Sequence, residues 1–489
     1  MGQVKSRRSG LAKSKANATE KSNYDKTETA TNYNPACIID ILVDDVLLKI
    51  FSFLTIFETL TASRTCKRWH SLIREPHLWQ TVDFWNGYNL HSPWQSEQDE
   101  ANYTKKFANT TMRFLQFYTD SSLRVVYLRA SNWAVMRHLI NKCPNLQTLS
   151  FLSPDQHTPS TCSKDIYRYF SKNKFALPLQ LKNLQLSFVA DKKYEVFHPK
   201  EFWIISIIQF RDTIIPGILK CQNLRHLTLY KCDKISPEDV EILTSGLPKL
   251  QEICLLYFIN AALEEILRII VKNLPDLTSL HIITSKYLGG NYEVVKYGID
   301  NILHELSKRG KFKDLHVTDT FFTPESFATM TQALPNMTEL GLYACSCVTD
   351  EIMTIIARDL SNLRILLLND SGPYTDIGLK ALQYHSSLQS LTIFKEPRHK
   401  PILSTETIFE TLMSLPKLKE AKLLACLNMK SDQYIIFQRY LDEFLTIKPH
   451  VRICTQQRRG PVFCATMYIG TDMRKLIFFR NQSPALFDK

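Results

Sequence analysis

The sequence predicts an α/β protein in two parts: a short all-α unit of three helices, then a curved solenoid with a parallel inner sheet and outer helices. Three observations predict it. An apolar phrase, L-x-x-L-x-L, recurs eleven times between Leu123 and Leu418. Proline, cysteine and hydroxyl residues keep a fixed phase to that phrase, as a strand–turn–cap–helix unit requires. Ahead of it, residues 38–83 are dense in apolar and aromatic residues at helical spacing.

The chain has 489 residues, more than one ordinary core can use, so it holds several domains or an extended array. Residues 1–37 are expected to be a disordered basic leader, rich in Lys, Ser, Thr and Asn. Residues 38–83 follow as the helical unit, 84–122 as an irregular connector, 123–454 as the repeats, and 455–489 as a C-terminal cap and tail.

In the helical unit, Val46, Leu47, Ile50, Phe51 and Leu54 form one wide apolar helix face, started by Asp44 and Asp45. Thr55 can cap a second helix carrying Phe57 and Leu60. Trp69, Leu72 and Ile73 mark a third, ending near Pro76. Leu48 and Phe53 lie off the main face. So small a unit cannot bury every apolar group, and some are expected to face a partner.

The repeats begin at Leu123, Leu146, Leu181, Leu224, Leu250, Leu277, Phe312, Met337, Leu363, Leu388 and Leu418. The shortest intervals cluster at 25–27 residues, and longer ones imply inserted loops around 153–178, 188–220 and 284–311. Pro144, Pro248, Pro275, Pro335 and Pro416 each stand two residues ahead of a phrase, where proline ends one helix as the next strand starts. Cys232, Cys345 and Cys426 follow the phrase in one phase, as small side chains in equivalent buried slots. Ser236, Thr323 and Thr349 are placed to cap helices.

The net charge is +12, of which residues 1–35 supply +4 from seven Lys/Arg against three Asp/Glu. No compact basic stripe with interleaved aromatics emerges, so no nucleic-acid partner is expected. No apolar run is long enough for a transmembrane helix. The twelve cysteines include no C-x-x-C pair, so free thiols in a reducing compartment are expected and a metal centre is not. No P-loop, G-x-S-x-G or H-E-x-x-H is present, and neither a catalytic residue nor a cofactor is expected.

Two resemblances sharpen this reading. The phrase LGLYACSCVTD at 340–350 is the clearest copy of a repeat similar to the cysteine-containing subtype of leucine-rich repeat. Residues 38–83 resemble an F-box along the motif's full length, through LLKIFSFL, CKRWHSLI and LW; the family's opening Leu-Pro is Leu42-Val43 here. The resemblance implies a substrate-recognition adaptor of an SCF-type cullin–RING ubiquitin ligase. By it, Leu42, Val43, Leu47, Ile50, Phe51 and Leu54 map onto positions that dock a Skp-type linker, which joins the cullin scaffold and RING subunit. The alternative is a leucine-rich-repeat scaffold at a membrane, not engaged with a ligase.

Strand alternation turns the third and fifth positions of each phrase, and the residue following it, toward the concave surface. Tyr230, His281, His316, Tyr343, Asn369, Phe394 and Lys422 are the substrate-contact candidates there. His281 and His316 share one phase in adjacent repeats. They read as two polar residues one strand apart, with a metal or pH-sensing pair as the alternative. The opening Met1-Gly2-Gln3-Val4-Lys5-Ser6 fits the N-myristoylation pattern, which makes Gly2 a lipidation candidate backed by Lys5, Arg7 and Arg8. The expected location is cytoplasmic, with membrane association or the nucleus left open.

Overall fold

The computed structural model describes residues 41–84, 109–119, 121–128, 133–151, 177–187, 210–230, 232, 235–258, 262–284, 297–395, 403–424 and 431–456. The expected disordered leader and most of the expected tail fall outside them.

The helical unit contains α1 (Asp44–Phe51), α2 (Ile56–Ala62) and α3 (Lys67–Leu72). Asp44 and Asp45 lie in the first turn of α1, against the positive end of its dipole. At α2, Thr55 and Glu58 form a reciprocal capping box, Thr55 N donating to the Glu58 carboxylate at 2.7 Å. These bonds hold the Glu58 carboxyl below its usual range. On α3, Arg68 donates to Asp44 at 2.9 Å and to the Leu42 carbonyl, which ties α3 to the start of α1. Phe51 packs edge-on against Trp69, with ring centroids 5.2 Å apart.

The boundary after this unit differs from the sequence expectation. Thr81–Asp83 is the first strand of the main sheet, paired with Val125–Leu128. Three residues are too few to show a period of two. The connector is also less irregular than expected, because residues 109–118 are helical. Phe114 from that helix meets Trp79 edge-on at 4.8 Å and Phe84 at 5.5 Å. This aromatic joint fuses the helical unit to the sheet.

Among the described residues this sheet has thirteen parallel strands, ordered as in the chain. Every one of the eleven phrases starts a strand at its third position: Leu224 precedes His226–Tyr230, Met337 precedes Glu339–Tyr343, Leu418 precedes Glu420–Leu424. Asp314, Glu339, Ile365, Ser390 and Glu420 stand side by side in register. The last strand, Arg452–Gln456, continues the array across the expected boundary at 454. Crossovers between sequential parallel strands are right-handed as a rule, which places the helices between them on one face of the sheet. The fourth and sixth positions, such as Leu340, Leu342, Leu366, Leu368, Leu391 and Ile393, are buried beneath them.

The phase markers act as expected. Helices ending at Lys142, Gly246, Asn273, Ala333 and Ser414 each stop two residues before one of the five prolines. Ser236, Thr323 and Thr349 accept from the backbone amides of Asp239, Ser326 and Ile352. Cys232 and Cys345 are buried, and Cys426 lies outside the described residues. Cys347, in the turn after the strand, is buried as well. Burial pushes the Cys345 thiol up to about 11 and Cys221 and Cys347 to about 12. Cys66, Cys143, Cys221, Cys232, Cys254, Cys345 and Cys347 form no disulfide. Within the expected 284–311 insertion, Tyr297–Gly298 pairs with Thr320–Phe321, and Asp300–Ser307 is helical.

Neighbouring repeats are also joined at their helix starts. Asp350, in the first turn of one helix, accepts from Thr375 N at 2.6 Å, Thr375 Oγ1 at 2.8 Å and Gly378 N at 2.9 Å in the next. Asp300 does the same for Thr323 and Ser326, and Asp376 accepts from Ser404 N. Hydrogen bonds to a charged acceptor contribute about 1.5–3 kcal/mol each, without simple additivity. Asp350→Ala is therefore expected to lower unfolding free energy by about 2–4 kcal/mol in urea titration. A loss below about 0.5 kcal/mol would show that water replaces the carboxylate at no cost.

Candidate functional site

Two surfaces qualify. The first is the outer face of the helical unit. Of the six expected docking residues, Val43 and Ile50 are exposed at 63% and 42%, Leu42 and Leu54 are half-buried, and Leu47 and Phe51 are buried at 1% and 3%. Leu47 and Phe51 point into the unit's own core, because the single apolar face of α1 is shared between that core and solvent. They lie beneath the exposed face and are not part of it. Val46 and Phe53, exposed at 42% and 76%, join Val43 and Ile50 in one stripe. Sequence spacing placed Val46, Leu47, Ile50, Phe51 and Leu54 on one face but could not say which edge faces inward.

Val43 carries φ −67° and ψ 155° as the N-cap of α1. Proline's ring fixes φ near −65°. The Leu42-Val43 departure therefore leaves the backbone where a Leu-Pro opening would place it.

The second surface is the helix-free face of the sheet, where the third, fifth and seventh positions of each phrase project. Most of the expected substrate contacts there are covered. His281, His316, Tyr343 and Lys422 are buried, while Asn369 and Phe394 are half-buried. Only the backbone of Tyr230 is described. The physical reason is lateral crowding. Parallel strands stand about 4.8 Å apart, so bulky side chains in one column stack on one another and exclude water. The His281 and His316 rings stack at 4.1 Å, and Lys422 Nζ lies 3.0 Å from Glu420 Oε2. The groups on this face that reach solvent include His226, paired to Glu252 at 2.6 Å, together with Thr228, Asn369, Phe394 and Glu420.

Crowding has an electrostatic cost at Asp314. Burial, with Glu339 beside it, pushes its carboxyl up to about 6, although Thr338 Oγ1 donates to it at 2.7 Å. The folded state thus holds this proton where the unfolded chain, near pH 3.8, has lost it. Stability from this group is full at low pH and declines as pH rises through about 6. Asp314→Asn keeps an acceptor for Thr338 and removes the charge. It is expected to stabilise the protein at pH 7.5 by on the order of 2 kcal/mol, and by nothing near pH 3.8. A pH-independent difference in unfolding free energy would contradict this.

Gly2, the lipidation candidate, lies outside the described residues. No helix of the described residues is long and apolar enough to cross a membrane.

A three-helix unit of this pattern, fused to in-register strand–helix repeats, defines a class. Over most of its length the chain is similar to F-box/leucine-rich-repeat proteins. Residues 44–85 match the F-box-like family. The chain is similar to mouse F-box/LRR-repeat protein 12, at 23% identity over 382 residues, covering 77% of this chain and 86% of that protein. It is also similar to the Arabidopsis F-box protein SKIP1, at 24% identity over 192 residues, covering 38% and 53%. Among solved structures, the yeast Rad7 and Elc1 complex aligns over 71% of this chain and 81% of that one, at 16% identity and a TM-score of 0.41.

Proposed function

We propose that this chain is the substrate-holding subunit of an SCF-type cullin–RING ubiquitin ligase. The observation that carries the reading is the exposed stripe of Val43, Val46, Ile50 and Phe53 on an F-box that is otherwise packed. Isolated apolar residues on a surface are ordinary, but a contiguous stripe on a small helical unit marks a protein contact. A Skp-type linker is the partner that the F-box resemblance suggests for that face, with the cullin and RING subunit reached through it. The joint of Trp79, Phe84 and Phe114 would hold the repeats at a fixed attitude to the linker. The repeats then present a protein target through the solvent-reaching groups of the open face.

The chemistry of such a subunit is proximity. Holding a target lysine beside a loaded conjugating enzyme raises its effective concentration without any nucleophile from this chain. Affinity capture of the full chain from cells tests the reading. Skp-type linker and cullin should co-purify in stoichiometric amounts, and their absence would leave the scaffold reading in place. Acylation of Gly2 would add a membrane address, visible as acyl mass on the N-terminal peptide.

A further inference from the structure

The histidine stack on the open face lies against a carboxylate. His281, His316 and Glu339 each offer one ligand atom, and the three atoms lie within 4.8 Å of one another. They come from three strands adjacent in the sheet, Ser279–Thr284, Asp314–Thr318 and Glu339–Tyr343. We infer that these three side chains form a binding site for a first-row divalent cation, with zinc the best fit to its donors.

Four features support a built site over a chance cluster. His316 is buried, and its Nε2 makes no hydrogen bond, standing 3.7 Å from Glu339 Oε2. A buried ring nitrogen left without a hydrogen bond is costly unless something else occupies its lone pair. The outer contacts of both rings are already set: Ser279 Oγ is 3.1 Å from His281 Nε2, and Tyr343 OH is 3.3 Å from His316 Nδ1. Such partners orient histidine ligands in metal sites. The backbone makes room for the ring: Gly341 lies beside His316 in the sheet, and a Cβ built on it would stand 2.8 Å from His316 Cγ. Lastly, two imidazoles and a carboxylate are a donor set that zinc takes with a fourth position left for water.

A tetrahedral zinc holds its ligand atoms about 3.4 Å apart, so closure requires side-chain movement of about 1 Å. Glu339 retains some exposure, which gives the ion an entry from the open face. Occupation would clip three successive repeats together, at the junction carrying the 35-residue interval between Leu277 and Phe312. This inference stands apart from the ligase reading, since neither needs the other.

The test uses the full chain, stripped by a chelator and dialysed. Zinc is titrated calorimetrically, and cobalt(II) replaces it for visible spectroscopy. The expected result is one equivalent bound, cobalt ligand-field bands without a thiolate charge-transfer band, and a raised melting temperature. Glu339→Gln and His281→Gln should each weaken zinc binding at least about tenfold. Gly341→Ala, which removes no ligand but displaces the His316 ring, should weaken it too. If a histidine variant fails to fold, Glu339→Gln decides, because that side chain lies at the rim. No stoichiometric uptake, uptake unchanged in Glu339→Gln, or a thiolate band pointing to the free cysteines would each overturn the site.

Discussion

Val43→Asp combined with Ile50→Asp is expected to abolish capture of a Skp-type linker while the protein stays folded. Both side chains are exposed, so neither charge is buried in the free protein. In a complex both would enter a desolvated apolar contact, where an unpaired carboxylate costs several kcal/mol. Since each 1.4 kcal/mol is tenfold in affinity, a loss beyond about 100-fold is expected. The thermal midpoint should stay close to that of the parent. Leu47→Asp and Phe51→Asp would be a poor test of docking. Those side chains fill the box's own core, and charging them would unfold it. If linker still co-purifies with the Val43/Ile50 double variant, the docking face lies elsewhere on the F-box.

Gly372→Ala should be among the most destabilising single methyl additions in the chain. Gly372 has φ +58°, a conformation costing other residues about 1–2 kcal/mol. A Cβ there would also stand 2.5 Å from the carbonyl carbon of Val348, a backbone atom of the preceding repeat that no rotamer change can move. Overpacking of this kind adds about 1–3 kcal/mol. Together these give an expected loss of about 2–5 kcal/mol in chemical denaturation. Gly298, where an added Cβ meets nothing within 4 Å, is the matched control and should tolerate alanine.

The solenoid was legible because its signal is redundant. The repeats write their strands in leucines, five of their helix ends in a proline and several helix starts in a hydroxyl, so an error in one marker is corrected by the others. The strands Thr81–Asp83 and Arg452–Gln456 were missed as members of the sheet because they lack that redundancy. The first is three residues inside a segment dominated by helical signals. The second follows a long helix, Ser431–Ile447, and has no leucine phrase of its own. Site residues were less legible for a different reason. Alternation tells which face a side chain leaves from, but not how its lateral neighbours cover it. His316 and Tyr343 were expected on the open face, yet both are buried, with His316 against Gly341 and the His281 ring. The same limit applies to α1, whose apolar face was read correctly and divided wrongly between core and partner.

The aspartates at the helix starts have a consequence for how the array comes apart. Asp300, Asp350 and Asp376 each belong to one repeat and are spent on the next. A repeat in the middle therefore cannot melt alone, because its loss strips the cap from its successor. Melting is favoured where there is no successor, so by this linkage the array should fray inward from its C-terminal end like a zip. Loop length does not enter that linkage, since the rungs connect helix starts and bypass the segments between strand and helix. Insertions can accumulate in those segments while the pitch of the stack is conserved, and the uneven spacing of the leucine phrases records that freedom.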